Sequence, residues 1–234
     1  MLRSVNSLYG DKLGASDGDI GQVKDFYFND RSWAVRYLIA DTGSWLADRQ
    51  VLLTPHALGQ LDRSEERLRV KLSKQQIEDS PPIDQHKPVS RQYEELYYRH
   101  YGLPYYWIGD GLWGMTNFPI VDLTPMPAVE GPEAAFGQAQ AGFDPHLRST
   151  RAVDGYHLQA IDGPIGHIVD FMLDDQAWVI RQLVIKTGGW FSGKEVVIPT
   201  SAVDRISFEE ALVYVNWTQA IVKGRPEPVA ATAK

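Results

Sequence analysis

The residues of this chain that could do chemistry are few and scattered. Cysteine is absent from its 234 residues, which removes thiolate nucleophiles, disulfides and Cys-ligated metal. The six histidines are His56, His86, His100, His146, His157 and His167. None stands at metal-ligand spacing with a carboxylate partner. The nearest grouping sets Glu94 and Glu95 beside His100, whose i, i+4 position on a helix is Leu96, which cannot be a ligand. Asp30 and Asp174-Asp175 lie in turn-like clusters, where Asp suits the backbone geometry, and they lack the spacing of an EF-hand loop. No phosphate-binding glycine loop, dinucleotide fingerprint or nucleophile elbow occurs. What remains is a pair of opposite charges at a definable distance along the chain, Asp25 with Arg36, and again Asp170 with Arg181. Such a pair is either a catalytic carboxylate with an electrophilic guanidinium or a structural ion pair that burial demands of both partners. Its occurring twice favours the structural reading. The expectation is no catalytic residue, no metal ligand and no cofactor.

The elements that would position this pair are strands. Ile20–Phe28 and Trp33–Asp41 are rich in β-branched and aromatic residues and flank the turn cluster Asn29-Asp30-Arg31-Ser32. Closing the hairpin with those four residues sets Phe28 against Trp33 and Asp25 against Arg36. The same arithmetic sets Asp170 against Arg181. A cross-strand ion pair on a largely buried face is therefore expected in both places.

It is expected twice because the chain repeats. Shifted by 145 positions, residues 2–81 lie on 147–226 without a gap at about 30% identity. Asp17-Gly18 falls on Asp162-Gly163, Ile20-Gly21 on Ile165-Gly166 and Asp25-Phe26 on Asp170-Phe171. Asp30, Trp33 and Arg36 fall on Asp175, Trp178 and Arg181. Thr42-Gly43-x-Trp45 falls on Thr187-Gly188-x-Trp190. Each copy reads as five or six short strands, with a short helix before Pro81-Pro82 in the first. The fold class is mainly β, two small barrels in tandem. Their bounds are 1–81 and 147–226, with an intervening segment over 82–146 and a disordered tail over 227–234.

The pattern Asp17-Gly18-Asp19-Ile20-Gly21-x-Val23-Lys24-Asp25-Phe26-Tyr27-Phe28, followed by Trp33-Ala34-Val35-Arg36-Tyr37-Leu38 and Asp41-Thr42-Gly43-x-Trp45, resembles the PRC-barrel family. The second copy departs at Pro164 and Val169. The resemblance implies a small β-barrel of the kind found in the cytoplasmic part of the photosynthetic reaction centre H subunit and in a ribosome maturation factor. In both it is a docking or assembly module, and the family brings no catalytic motif. The H subunit begins with a membrane-spanning helix, and no such helix is expected from this sequence.

The middle segment differs in composition. It carries eight acidic residues against three basic, most of the net charge of −7. That balance tells against nucleic acid as a partner. A helix is expected near 90–101, with Ser90 as N-cap and Gly102 as stop. Tyr93, Leu96, Tyr97 and His100 would share one face, and Glu94 and Glu95 would mark the polar side. Tyr93, Tyr97, Tyr98, Tyr101, Tyr105, Tyr106 and Trp107 either pack internally on the barrels or form a partner surface. No run is long and apolar enough to span a bilayer, and the start lacks an apolar leader, so a cytoplasmic location is expected. The function expected is a non-enzymatic adaptor that binds a protein partner, with a homodimer possible. The alternatives are a small-molecule or metal sensor with its site between the copies and, behind that, a hydrolase using unpaired carboxylates.

Overall fold

The computed structural model describes residues 1–46, 49–62, 67–81, 91–119, 146–188 and 193–228. The first repeat forms β1 (Leu2–Ser4), β2 (Lys12–Ala15), β3 (Gly18–Asn29), β4 (Val35–Asp41), β5 (Gln50–Leu53), β6 (Leu58–Asp62), β7 (Arg67–Val70) and the helix α1 (Lys74–Glu78). The middle segment forms α2 (Arg91–Tyr101). The second repeat forms β8 (Leu147–Ser149), α3 (Thr150–Val153), β9 (His157–Ala160), β10 (Gly163–Asp174), β11 (Val179–Thr187), β12 (Glu195–Pro199), β13 (Val203–Ser207), β14 (Leu212–Val215) and α4 (Gln219–Lys223). Among the described residues no helix is long and apolar enough to cross a membrane.

The protein is mainly β, with two seven-stranded sheets of the same order, β5-β4-β3-β2-β7-β6 and β12-β11-β10-β9-β14-β13. Residues identical in the two repeats do identical things. Asp17 Oδ1 accepts from the Lys74 N–H at 2.8 Å, and Asp162 Oδ1 from the Gln219 N–H at 2.7 Å. Each thus ties the turn before a long strand to the start of a short helix, α1 or α4. Thr42 donates its hydroxyl to the Arg49 carbonyl, and Thr187 to that of Lys194. Gly21 and Gly166 sit where a neighbouring strand passes so closely that a Cβ would fall on the carbonyl oxygen of Asp41 or Lys186. That is why both copies keep glycine there.

The seventh strand of each sheet comes from the other repeat. β1 pairs with β10, with Leu2 opposite Asp174 and Ser4 opposite Met172, and β8 pairs with β3. Both exchanged strands read Leu-Arg-Ser. Arg3 Nε donates to Asp175 at 2.5 Å, and Arg148 forms an ion pair with Asp30, Nε to carboxylate 2.9 Å. The Val35 N–H donates to the Trp178 carbonyl at 2.8 Å, and the Ile180 N–H to that of Trp33 at 2.9 Å. Ala34 bridges Val179, its own equivalent. The contact is self-complementary, as at a two-fold interface.

This exchange makes the compact units differ from the sequence repeats. One unit comprises Met1–Tyr9, Phe26–Val35 and Arg148–Lys234, and the other Gly10–Asp25 and Arg36–Leu147. The core of the first gathers Phe26, Phe28, Phe171, Leu173, Ile180, Leu183 and Ile198, all buried. The core of the second gathers Leu13, Ile20, Tyr37, Leu38, Leu53, Tyr97 and Trp113.

The hairpins close one residue later than the sequence suggests. Asn29 pairs with Ala34 through the Asn29 N–H and the Ala34 carbonyl, 2.9 Å apart. Trp33 and Trp178 take left-handed backbone at φ 60° and 53°, costing about 1–2 kcal/mol each. A further bulge between Met172 and Leu173 then brings Asp170 opposite Val184. The expected pair of Asp170 with Arg181 therefore does not form. Arg181 reaches Asp174 at 3.3 Å and is half exposed. Asp170 accepts from the Ser4 hydroxyl and, at 3.0 Å, from the Asn6 N–H. The turn carboxylates Asp30, Asp174 and Asp175 are all taken up by arginines.

Candidate functional site

In the unit that contains the middle segment, Arg36 is buried. Nη1 donates to the Leu112 carbonyl at 2.6 Å. The guanidinium carbon lies 3.8 Å from the ring centre of Tyr106 and 5.0 Å from that of Trp113. The field of the Glu94 carboxylate reaches Arg36. Burial pulls the guanidinium below its ordinary value, and the fields of Tyr106, Tyr98, Tyr37 and Glu94 oppose that pull.

Glu94 is the hub of this arrangement and is completely buried. Its Oε1 accepts from the Tyr37 hydroxyl at 2.7 Å and from the Tyr106 hydroxyl at 2.9 Å. Tyr97 Oη donates to the Leu52 carbonyl at 2.9 Å and accepts from the Thr54 N–H at 3.1 Å. His56, also buried, meets the Trp113 ring edge-on at 5.3 Å between centres. Helix α2 and the loop after it are thus fastened to β4 and β5 by three tyrosine hydroxyls, one carboxylate and one stacked guanidinium. Burial raises Tyr37 well above an ordinary phenol, helped by Glu94. Burial likewise raises Tyr98, and lifts Tyr101 to about 12.

The helix is turned relative to the sequence expectation. Its inward residues are Glu94, Tyr97 and Tyr98, with Tyr101 half-buried, whereas Leu96 is 56% exposed and His100 faces outward. Hydrophobicity alone puts Leu96 inside. The hydrogen bonds of Tyr37 and Tyr106 put the carboxylate there instead, because a buried phenol needs an acceptor. Of the aromatics considered as partner contacts, Tyr97, Tyr98 and Tyr106 are interior. Tyr101, Tyr105 and Trp107 are half-buried, and the side chain of Tyr93 lies outside the described residues. The ring of Trp107 packs on Tyr98, Tyr105 and Tyr106.

The loop leaves three large apolar side chains outside, beside Asp110 and Asn117. Ile108 is 49%, Phe118 57% and Met115 85% exposed. Nothing in composition marks these three out from Leu103 and Trp113, which the same loop buries. A separate open groove of about 610 Å³ lies between β2, β3 and the Thr42–Trp45 turn, lined by Lys12, Asp19, Gln22, Asp41 and Trp45. Lys74 Nζ stands 4.6 Å from the Trp45 ring centre, and Asp19 is held by Arg67. Trp190, the second-repeat counterpart of Trp45, lies outside the described residues. Among the described residues no three His, Asp or Glu side chains converge as metal ligands.

Two sheets of the same strand order and a clasp of buried aromatics define a mainly β protein. Residues 160–219, from the end of β9 to the start of α4, match the PRC-barrel domain. No curated protein matches the chain.

Proposed function

We propose that the protein is a non-enzymatic adaptor or assembly module, with the first repeat as a second PRC-type domain beside the matched one. The observation that carries this reading is the loop over 103–119. It spends Tyr106, Trp113 and the Leu112 carbonyl on holding Arg36, and turns Ile108, Met115 and Phe118 outward. A firmly anchored loop that presents large apolar side chains is what a protein interface needs, since a rigid patch loses little entropy on binding. The equivalent strand order of the two sheets supports the first repeat being a domain of the same kind.

The test is capture of partners from native lysate with the tagged full chain, set against a variant carrying Ile108→Gln, Met115→Gln and Phe118→Gln. These positions are exposed, so the variant keeps its fold, which a thermal melt checks. A protein enriched by the native chain and lost with the variant supports the reading. Enrichment that the variant leaves intact moves the interface elsewhere, and no enrichment at any ionic strength overturns the adaptor role. Removing Tyr97 or Tyr98 would be a poor control, because both are core residues.

A further inference from the structure

Two histidines ten residues apart in the chain meet across a hairpin. His157 on β9 and His167 on β10 are register partners around the Asp162-Gly163 turn. Register partners project to the same face with Cβ atoms about 4.5–5.5 Å apart, a separation that lets two imidazoles share one ion. Lys186 on β11 is the partner of His167 on its other side, and Glu195 on β12 is the partner of Lys186. The row across four strands therefore reads His157, His167, Lys186, Glu195. Asp154 adds a negative field at His167. The fold does not require the pair. The equivalent register partners in the first repeat are Lys12 and Gln22.

We propose that His157 and His167 form a two-imidazole site for a borderline divalent cation of the zinc class. Imidazole suits such ions, while hard cations prefer oxygen. With two protein ligands the site is open, and water or a donor atom of another molecule completes the coordination.

The test is calorimetric titration of the untagged, metal-free full chain with Zn²⁺ alone at pH 7.5, with Mg²⁺ as the hard-ion control. One equivalent of Zn²⁺ binds, Mg²⁺ does not, and the two imidazole ring signals shift together by NMR. His157→Gln and His167→Gln each weaken binding by at least about tenfold, and His100→Gln on α2 leaves it unchanged. Melting curves establish that the variants stay folded. Absence of Zn²⁺ binding overturns the proposal. So does binding that survives in the double variant His157→Gln/His167→Gln, or that is lost with His100→Gln.

Discussion

Arg36 lies over the ring of Tyr106, 3.8 Å from guanidinium carbon to ring centre, whereas its repeat equivalent Arg181 stands half exposed beside Asp174. One residue type at one position of the repeat has two fates, decided by the middle segment. Arg36→Lys keeps the charge and loses the planar stack and the fixed fork. It is expected to cost about 2 kcal/mol in urea unfolding. Arg181→Lys is expected to stay within about 0.5 kcal/mol. Equal losses would mean that the clasp contributes nothing.

Gly21 and Gly166 offer a paired test of the close strand approach. Gly21→Ala and Gly166→Ala each drive a methyl group into a backbone carbonyl and are expected to destabilise by about 2–4 kcal/mol. Denaturation midpoints measure this. A near-neutral result at either site would show that the strands part without cost.

Raised phenols make the clasp sensitive to alkali. Tyr37, Tyr98 and Tyr101 hold their protons more tightly folded than unfolded. Their contribution to stability is full below the unfolded value near 10 and is lost as pH rises beyond it. Absorbance at the phenolate band should show these tyrosines ionising only with unfolding. Glu94→Gln should let Tyr37 ionise earlier, since the neighbouring carboxylate is one of the causes of its shift. An unchanged titration in that variant would remove Glu94 from its role as hub.

Asp175 acts at the other end of the pH scale. Burial pushes its carboxyl up, but hydrogen bonds from the Met1 ammonium and the Arg3 guanidinium outweigh that and hold it below the ordinary range. A depressed carboxyl contributes stability above its unfolded value near 3.9, and the contribution is lost as pH falls through the folded value. Asp175→Asn should flatten the stability profile below pH 4 and leave the alkaline limb unchanged. A double-mutant cycle between Arg3 and Asp175 should give a coupling of about 1 kcal/mol that shrinks with added salt.

The internal likeness was plain in the sequence because several shared residues make equivalent contacts, Asp17 and Asp162 and the Gly21 and Gly166 crossings among them. The helix at Arg91–Tyr101 was legible from Ser90, Gly102 and aromatic spacing. Its orientation was not, because an acidic residue reads as solvated until a tertiary partner such as Tyr37 is known. The Asp170–Arg181 pair failed on the backbone. Left-handed Trp33 and Trp178 and one bulge move the register, and tryptophan gives no hint of that conformation. The His157–His167 register follows from the turn between them, and a pair that meets across a hairpin leaves no short ligand spacing along the chain.

The exchanged strands also set an order of events during synthesis. Leu2 pairs opposite Asp174, so at ribosomal rates the first strand waits roughly 10–30 s for its partner to be made. Until β8 is made, the end of β3 that receives it is an open edge, free to template pairing with another chain. A nascent chain of this protein is therefore most exposed to misassembly in the window before residue 149 emerges. Codon-level pauses or chaperones acting there would change yield without altering any contact in the finished fold.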